Sequence, residues 1–331
     1  MWGAVLFTLS LPALVSVFKP EASFPCLGVA LLWSAAPLVA YAISGESRSS
    51  PPPASAADAR ELRMTARKTW RYFEEFTTSR THYLPPDNDQ IDPPRGIARR
   101  TSPTNIGFGL LAALAARDFG YIGTGKMAAL IDQTLSTVEL LPKWNGHLQN
   151  WYDTTTLFPL SPGYVSTVDS GNFVGYLIAL RQGLKEYLES PLVDTRLVNG
   201  VEDTLYCAGA DGVTLERNFA LRSVITAQGN VDMRLWNQRI AEMQDDGRLA
   251  ALYDSVWREK ARRMLSQFSD ELTLYLPGSR LIRIFPDAPA EALSASDRAA
   301  VHAIVAMLAE NPSLCELPRQ HGRIASHIDQ L

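Results

Sequence analysis

Residues 58–76, DARELRMTARKTWRYFEEF, decide the fold class. Leu62, Ala66, Trp70, Phe73 and Phe76 recur every third or fourth position, so their side chains share one face of a helix. Asp58 followed by Glu61 resembles the box that caps a helix start. Outward from this helix the same period continues. A second helix opens at Ser102, with Pro103 at its first position, passes through Ile106, Leu110 and Leu114, and stops at Gly120. A third carries Met127, Leu130, Ile131, Val138 and Leu141 and is closed by Pro142. Asp169 or Ser170 is expected to cap a fourth, bearing Phe173, Leu177, Leu180, Leu184 and Tyr187. Further helical patterns cover 192–207, 230–245, 248–268 and 296–310. The best strand candidates are Leu272 to Leu276 and Arg280 to Phe285, a short hairpin around Pro277-Gly278. The class is all-α.

The amino-terminal residues differ from the rest. Met1 to Phe18 is uncharged and apolar, Lys19-Pro20-Glu21 interrupts it, and Phe24 to Ile43 is a second uncharged run, near the roughly 20 residues that span a bilayer core. Residues 1–45 therefore read as a transmembrane hairpin, 46–57 as a Ser/Pro-rich linker, and 58–331 as a helical domain. No basic stretch precedes the first run, as a signal peptide would require. Arg48, Arg60, Arg63, Arg67, Lys68 and Arg71 follow the second run, which predicts a cytoplasmic soluble part.

The 331 residues are 46% hydrophobic and 20% charged, a composition that folds. A net charge of −4 excludes the basic footprint of a nucleic-acid binder. Three distant cysteines and five histidines form no metal-binding spacing, so neither a metal nor another cofactor is expected. Gly120-Tyr-Ile-Gly-Thr-Gly-Lys126 fits the phosphate-loop spacing, but Met127 stands where Ser or Thr would bind magnesium and a helix precedes it, so it reads as a glycine-rich turn. Trp236, Tyr253 and Trp257 read as core anchors.

Three loops between helices carry polar and aromatic side chains together. They are Arg99 to Gly107, Gly146 to Thr154 and Tyr164 to Asn172. A pyranose needs an aromatic face for its C–H surface and paired polar groups for its hydroxyls, and these loops supply both. The same residues also suit turns and caps: Ser102 and Asp169 at helix starts, Asn150 and Asp153 in a turn.

At these loops the sequence resembles a known family. RRTSPTNIGFGLLAALAARDFGYIG (99–123), GHLQNWYDT (146–154) and YVSTVDSGNFVGYLIAL (164–180) are similar to the central region of the cyclic β-1,2-glucan synthases, bacterial inner-membrane proteins. ARKTWRYFEEF (66–76), LPPDNDQIDPP (84–94) and the membrane segment Leu31 to Ser44 agree in the same order. The resemblance implies a glucoamylase-like (α/α)6 barrel, incomplete in this chain, from the module that cleaves and recloses glucan chains. It implies β-1,2-glucan, the bacterial inner membrane and synthase domains on another chain as partners.

By the same resemblance Trp151 and Tyr152 would stack glucose, and Asp153, Asp169 and Asn172 would bond its hydroxyls. Arg100, Thr101, Ser102, Asn105, His147 and Asn150 would complete the mouth. The catalytic carboxylates are expected beyond residue 331, with Asp153 and Asp169 the candidates within the chain. Two other readings stand beside this one: a catalytically inactive membrane-anchored glucan-binding or scaffold subunit, and an independent glucoamylase-like glycosidase.

Overall fold

The computed structural model describes residues 2–44, 55–245, 247–278 and 294–329. They form two units, 1–55 and 56–331. Most of the 46–57 linker and the second strand of the expected hairpin, Arg280 to Phe285, lie outside the described residues.

In the first unit, α1 (Trp2–Phe18) packs against α2 (Ser23–Ile43). Pro20–Ile43 is long and apolar enough to cross a bilayer, whereas Val5–Phe18 is a shorter apolar helix. Leu6, Phe7, Phe18, Phe24, Leu32, Trp33 and Tyr41 are all exposed, a surface that suits lipid rather than water and is consistent with a membrane protein.

The second unit is all-α, as the periodicity predicts. Its helices are α3 (Ala56–Phe76), α4 (Pro103–Asp118), α5 (Thr124–Leu140), α6 (Thr167–Glu189), α7 (Thr195–Cys207), the single turn α8 (Gly212–Thr214), α9 (Met233–Asp245), α10 (Ser255–Tyr275), α11 (Ala295–Leu308) and α12 (Leu317–Ile328). Among the described residues, strand is limited to three antiparallel pairs of two-residue strands: β1 (Asp89–Gln90) with β2 (Gly96–Ile97), β3 (Arg100–Thr101) with β6 (Tyr152–Asp153), and β4 (Lys143–Trp144) with β5 (His147–Leu148). One apolar cluster joins α3 to α6 through Trp70, Ile106, Leu110, Met127, Ile131 and Leu180. A second joins α7, α9 and α10 through Val198, Leu205, Trp236, Ile240, Leu265 and Phe268.

Glycines set the closest approach. A Cβ on Gly107 of α4 would lie 2.1 Å from the Tyr176 ring, and one on Gly183 of α6 would lie 2.5 Å from Leu114. These two absences of a side chain let Tyr176 of α6 and Leu114 of α4 pack directly onto the backbone of the facing helix.

Buried charge fastens α3 to its neighbours. Arg67 is 1% exposed, donates to Thr204 Oγ1 at 2.9 Å, pairs with Glu74 and lies over the Trp257 ring. Arg63 pairs with Asp203 of the neighbouring helix at 2.7 Å, while Arg71 pairs with Glu75 at 2.8 Å within α3 itself. Three of the cations that sequence reading assigned to membrane orientation are thus engaged within the helical unit.

Several local expectations need correcting. Helix α3 begins at Ala56, which puts Asp58 in its first turn rather than at the cap. Ser166, not Asp169 or Ser170, caps α6: its side chain accepts the Asp169 amide at 3.1 Å. Leu272 to Tyr275 is the last turn of α10, because the apolar period of that helix continues through Phe268 and Leu272. Trp236 and Trp257 are buried anchors, but Tyr253 is 93% exposed. On α3, Leu62 is 65% exposed although Trp70 on the same stripe is buried.

The phosphate-loop-like stretch is a turn, for a physical reason. Gly120 (φ +79°) backs onto the Arg196 carbonyl, and a Cβ there would sit 1.7 Å from that oxygen. The amides at the start of α5 receive the Glu271 carboxylate instead of a phosphate, with Gly125 N–H donating to Oε1 at 2.7 Å. Burial pushes the Glu271 carboxyl above the usual range, against the Gly125 amide bond and the nearby Arg117 charge.

Candidate functional site

Each of the three loops is tied to the other two. Loop one meets loop two in an antiparallel pair, β3 (Arg100–Thr101) with β6 (Tyr152–Asp153), in which Arg100 faces Asp153 and Thr101 faces Tyr152. The Thr154 amide adds a bond to the Arg99 carbonyl at 3.1 Å. Loop two meets loop three where the Asn150 amide donates to the Tyr164 carbonyl at 2.8 Å. Loop three returns to loop one through Asn172 Nδ2, which donates to Thr104 Oγ1 at 3.3 Å.

Asn150 is the hub of the second junction. With its carboxamide oriented to satisfy its neighbours, Nδ2 donates to Asp169 Oδ2 at 3.0 Å, and Oδ1 accepts from Trp151 Nε1 and Tyr164 Oη, each at 2.7 Å. One buried amide therefore fixes an aromatic ring, a phenol and a carboxylate from two loops. Each partner's orientation is set before any ligand arrives, which lowers the entropy lost on binding.

Asp87 plays a similar part for loop one. Arg100 donates to its Oδ2 through Nε (3.1 Å) and Nη2 (2.9 Å), and Asn105 Nδ2 donates to Oδ1 at 3.1 Å. The Arg100 guanidinium also lies 4.8 Å from the Trp151 ring centroid, covering one face of that ring. Ser102 accepts the Asn105 amide at 3.2 Å and caps α4, as its sequence context predicts.

The expected contact residues divide by exposure. Arg100, His147 and Asn172 are exposed, Asn105, Trp151, Asp153 and Asp169 are half-buried, and Thr101, Ser102 and Asn150 are buried. His147 stands on the hairpin of β4 (Lys143–Trp144) and β5 (His147–Leu148), opposite Trp144.

Tyr152 requires a correction. It is 0% exposed, donates to the Pro142 carbonyl at 2.7 Å and receives the Gln149 amide, so its ring belongs to the core and does not offer a face to a sugar. The exposed aromatic residues of this region are Trp144, Phe158 and Tyr164.

Asp153 is engaged locally. Its Oδ1 accepts the amides of Thr155 (2.7 Å) and Thr156 (2.8 Å), the Asx-turn arrangement. Those amide bonds, Thr156's foremost, hold its carboxyl below the usual range. An aspartate so placed is ionised at neutral pH and is unsuited to donate a proton to a leaving group.

Sequence reading did not place Asp87 in this cluster and, although Tyr164 opens the third loop, gave that residue no contact role. Asp87 lies in the proline-flanked acidic stretch 84–94, whose charge next to the arginines at 99 and 100 was a usable signal. Among the described residues, no group of three histidine, cysteine, aspartate or glutamate side chains could hold a metal ion.

Residues 64–176 match a family model described as a protein of unknown function, DUF3131. Over 192 residues the chain is 43% identical to the cyclic β-(1,2)-glucan synthase NdvB of Rhizobium meliloti. This part of the chain is similar to a cyclic β-(1,2)-glucan synthase. The match covers 58% of this chain and 7% of the length of NdvB, so it relates the chain to one segment of a much larger synthase. Asp87 and every candidate residue from Arg100 to Asn172 fall inside the DUF3131 match.

Proposed function

We propose that this synthase-related chain belongs to a membrane-bound (α/α)6-type module that holds β-1,2-glucan while the polymer is cut and reclosed. The three-loop cluster is its sugar-contacting face. The observation that carries the reading is the Asn150 hub, which presents Trp151, Tyr164 and Asp169 in fixed orientation beside the Asp87–Arg100–Asn105 network. Such a surface offers a ring face, hydroxyl donors and acceptors within a few ångströms, the combination a pyranose needs.

In this reading residues 1–45 anchor the chain in the bacterial inner membrane and the helical unit faces the cytoplasm. β-1,2-glucan is the ligand, and the remaining synthase domains are the partners. Asp153 is spent on a turn and Asp169 on Asn150, which favours binding and positioning by this chain and a catalytic carboxylate pair supplied from elsewhere.

The test is a calorimetric titration of the full chain in detergent micelles with linear β-1,2-glucan, using linear β-1,4-glucan as the control. Saturable binding of the first and not the second is expected. Equal binding of both, or of neither, overturns the reading.

A further inference from the structure

The outer face of the loop cluster extends past the three loops, to residues 158–160. Tyr152 pairs with Thr101 on one side and with Pro159 on the other. The Asp153 amide donates to the Phe158 carbonyl at 3.0 Å, and the Leu160 amide to the Trp151 carbonyl at 2.9 Å. Those two bonds flank a residue pair that exchanges none of its own, which is where a proline without an N–H fits. Residues 158–160 are therefore a third antiparallel stretch beside β6, with Asp153 opposite Phe158 and Trp151 opposite Leu160.

Strand alternation sorts the side chains. Thr101, Tyr152 and Pro159 share the inner side, where Thr101 and Tyr152 are buried. Arg100, Asp153 and Phe158 form one row of the outer side, and Trp151 and Leu160 the next. Phe158 is thus a diagonal neighbour of Trp151, about 7–8 Å away. Arg100 reaches the Trp151 ring along the matching diagonal from β3. The Phe158 side of that row is open, and Phe158 is 69% exposed.

The backbone is strained in the position that turns Phe158 outward. Leu157 has φ +64°, a conformation that a bulky side chain rarely adopts. Its amide closes the turn onto the Asp153 carbonyl at 2.9 Å, and its side chain packs against the α3 to α6 apolar cluster. Docking Leu157 inward leaves the next residue facing solvent. Strain of this kind persists where the surroundings impose it, and it gathers at ligand-binding sites.

The charges around this row are already matched. Arg100 donates two hydrogen bonds to Asp87, and Asp153 is held by the turn amides with the Arg99 charge nearby. A ligand that suits the row is neutral, with an apolar face for the ring and polar groups around its edge, which is the chemistry of a pyranose.

We propose that Phe158 is a second stacking platform, so that the face holds two successive units of one carbohydrate chain, one on Trp151 and one on Phe158. That the chain is β-1,2-glucan rests on the reading under Proposed function.

The experiment titrates linear β-1,2-glucan into the full chain in detergent micelles by calorimetry, with melting curves alongside. Phe158→Ala should weaken binding about fivefold, the scale of one aromatic contact, with the melting temperature unchanged. Phe158→Tyr should restore wild-type affinity, because it keeps the ring face. Tyr253→Ala, which removes an exposed ring of the α10 entry far from these loops in sequence, should leave affinity unchanged. Wild-type affinity in Phe158→Ala, with weakened binding in Trp151→Ala, would overturn the second platform and leave the glucan-face reading intact. Equal weakening by Phe158→Ala and Tyr253→Ala would also overturn it, as non-specific adhesion to exposed rings. No glucan binding by the wild type would overturn both the platform and the reading it rests on.

Discussion

Arg100 and Asp153 face each other across the β3–β6 pair, yet each side chain is committed elsewhere: Arg100 to Asp87 and the Trp151 ring, Asp153 to the turn amides of Thr155 and Thr156. Backbone register brings the first two loops together, and side chains then tie the loops to one another, Asn150 to Asp169 and Tyr164, and Asn172 to Thr104. The cluster is stiff by construction, which suits the proposed role of holding a flexible polymer.

The Asn150 hub should carry both order and stability. Replacing Asn150 by Ala removes the partner of Asp169 and of the Trp151 and Tyr164 donors at once, and is expected to cost about 1–3 kcal/mol. Urea unfolding checks the loss. A midpoint unchanged from wild type would mean that the three groups find other partners without penalty.

Arg117 joins three helices at one point. It is 0% exposed, donates to Thr124 Oγ1 at 2.9 Å at the start of α5, and pairs with Asp194, the cap of α7, at 3.2 Å. Arg117→Met leaves Asp194 with only the more distant Arg196 guanidinium at 3.9 Å, and a loss of about 3 kcal/mol is expected, the lower end for a broken buried pair because Asp194 is 20% exposed. Thermal melting that stays cooperative and unshifted would rule out this role.

Glu271 gives the helical unit a defined pH response. Burial raises its folded pKa above the ordinary glutamate value of about 4.3. Its contribution is therefore fully present below the unfolded pKa and is lost as pH rises through the folded one. Glu271→Gln keeps an acceptor for the Gly125 amide and removes the buried charge. The variant should be more stable than wild type at neutral pH, with the gain shrinking toward pH ~4. Melting curves at the two pH values decide; a difference that does not vary with pH contradicts the assignment.

How much of this was legible in the sequence depended on the physics at each point. Apolar period located α3 to α7, α9 and α10 because one face of each helix meets a common core. It found the Ser102 cap of α4 but misplaced the starts of α3 and α6, in the latter because Ser166 and Asp169 are both good capping residues and backbone geometry chooses between them. The loops were recognisable from their mixture of aromatic and polar residues, but composition does not say which ring turns inward. Tyr152 turns in because strand alternation places it opposite Thr101 on the core side, while Trp151 beside it turns out toward Arg100. Asp87 escaped notice because its partners, Arg100 and Asn105, are brought to it only by the fold.

The most direct test of the account is glucan affinity set against stability for Trp151→Ala in the full chain. Removing a half-buried ring that would stack a sugar should weaken binding of linear β-1,2-glucan by about 1 kcal/mol, roughly fivefold. The unfolding midpoint should change little, because Trp151 lies in a loop on a helical scaffold. If glucan affinity is unchanged while the midpoint falls, Trp151 serves packing alone and the three-loop cluster is not the glucan-binding face.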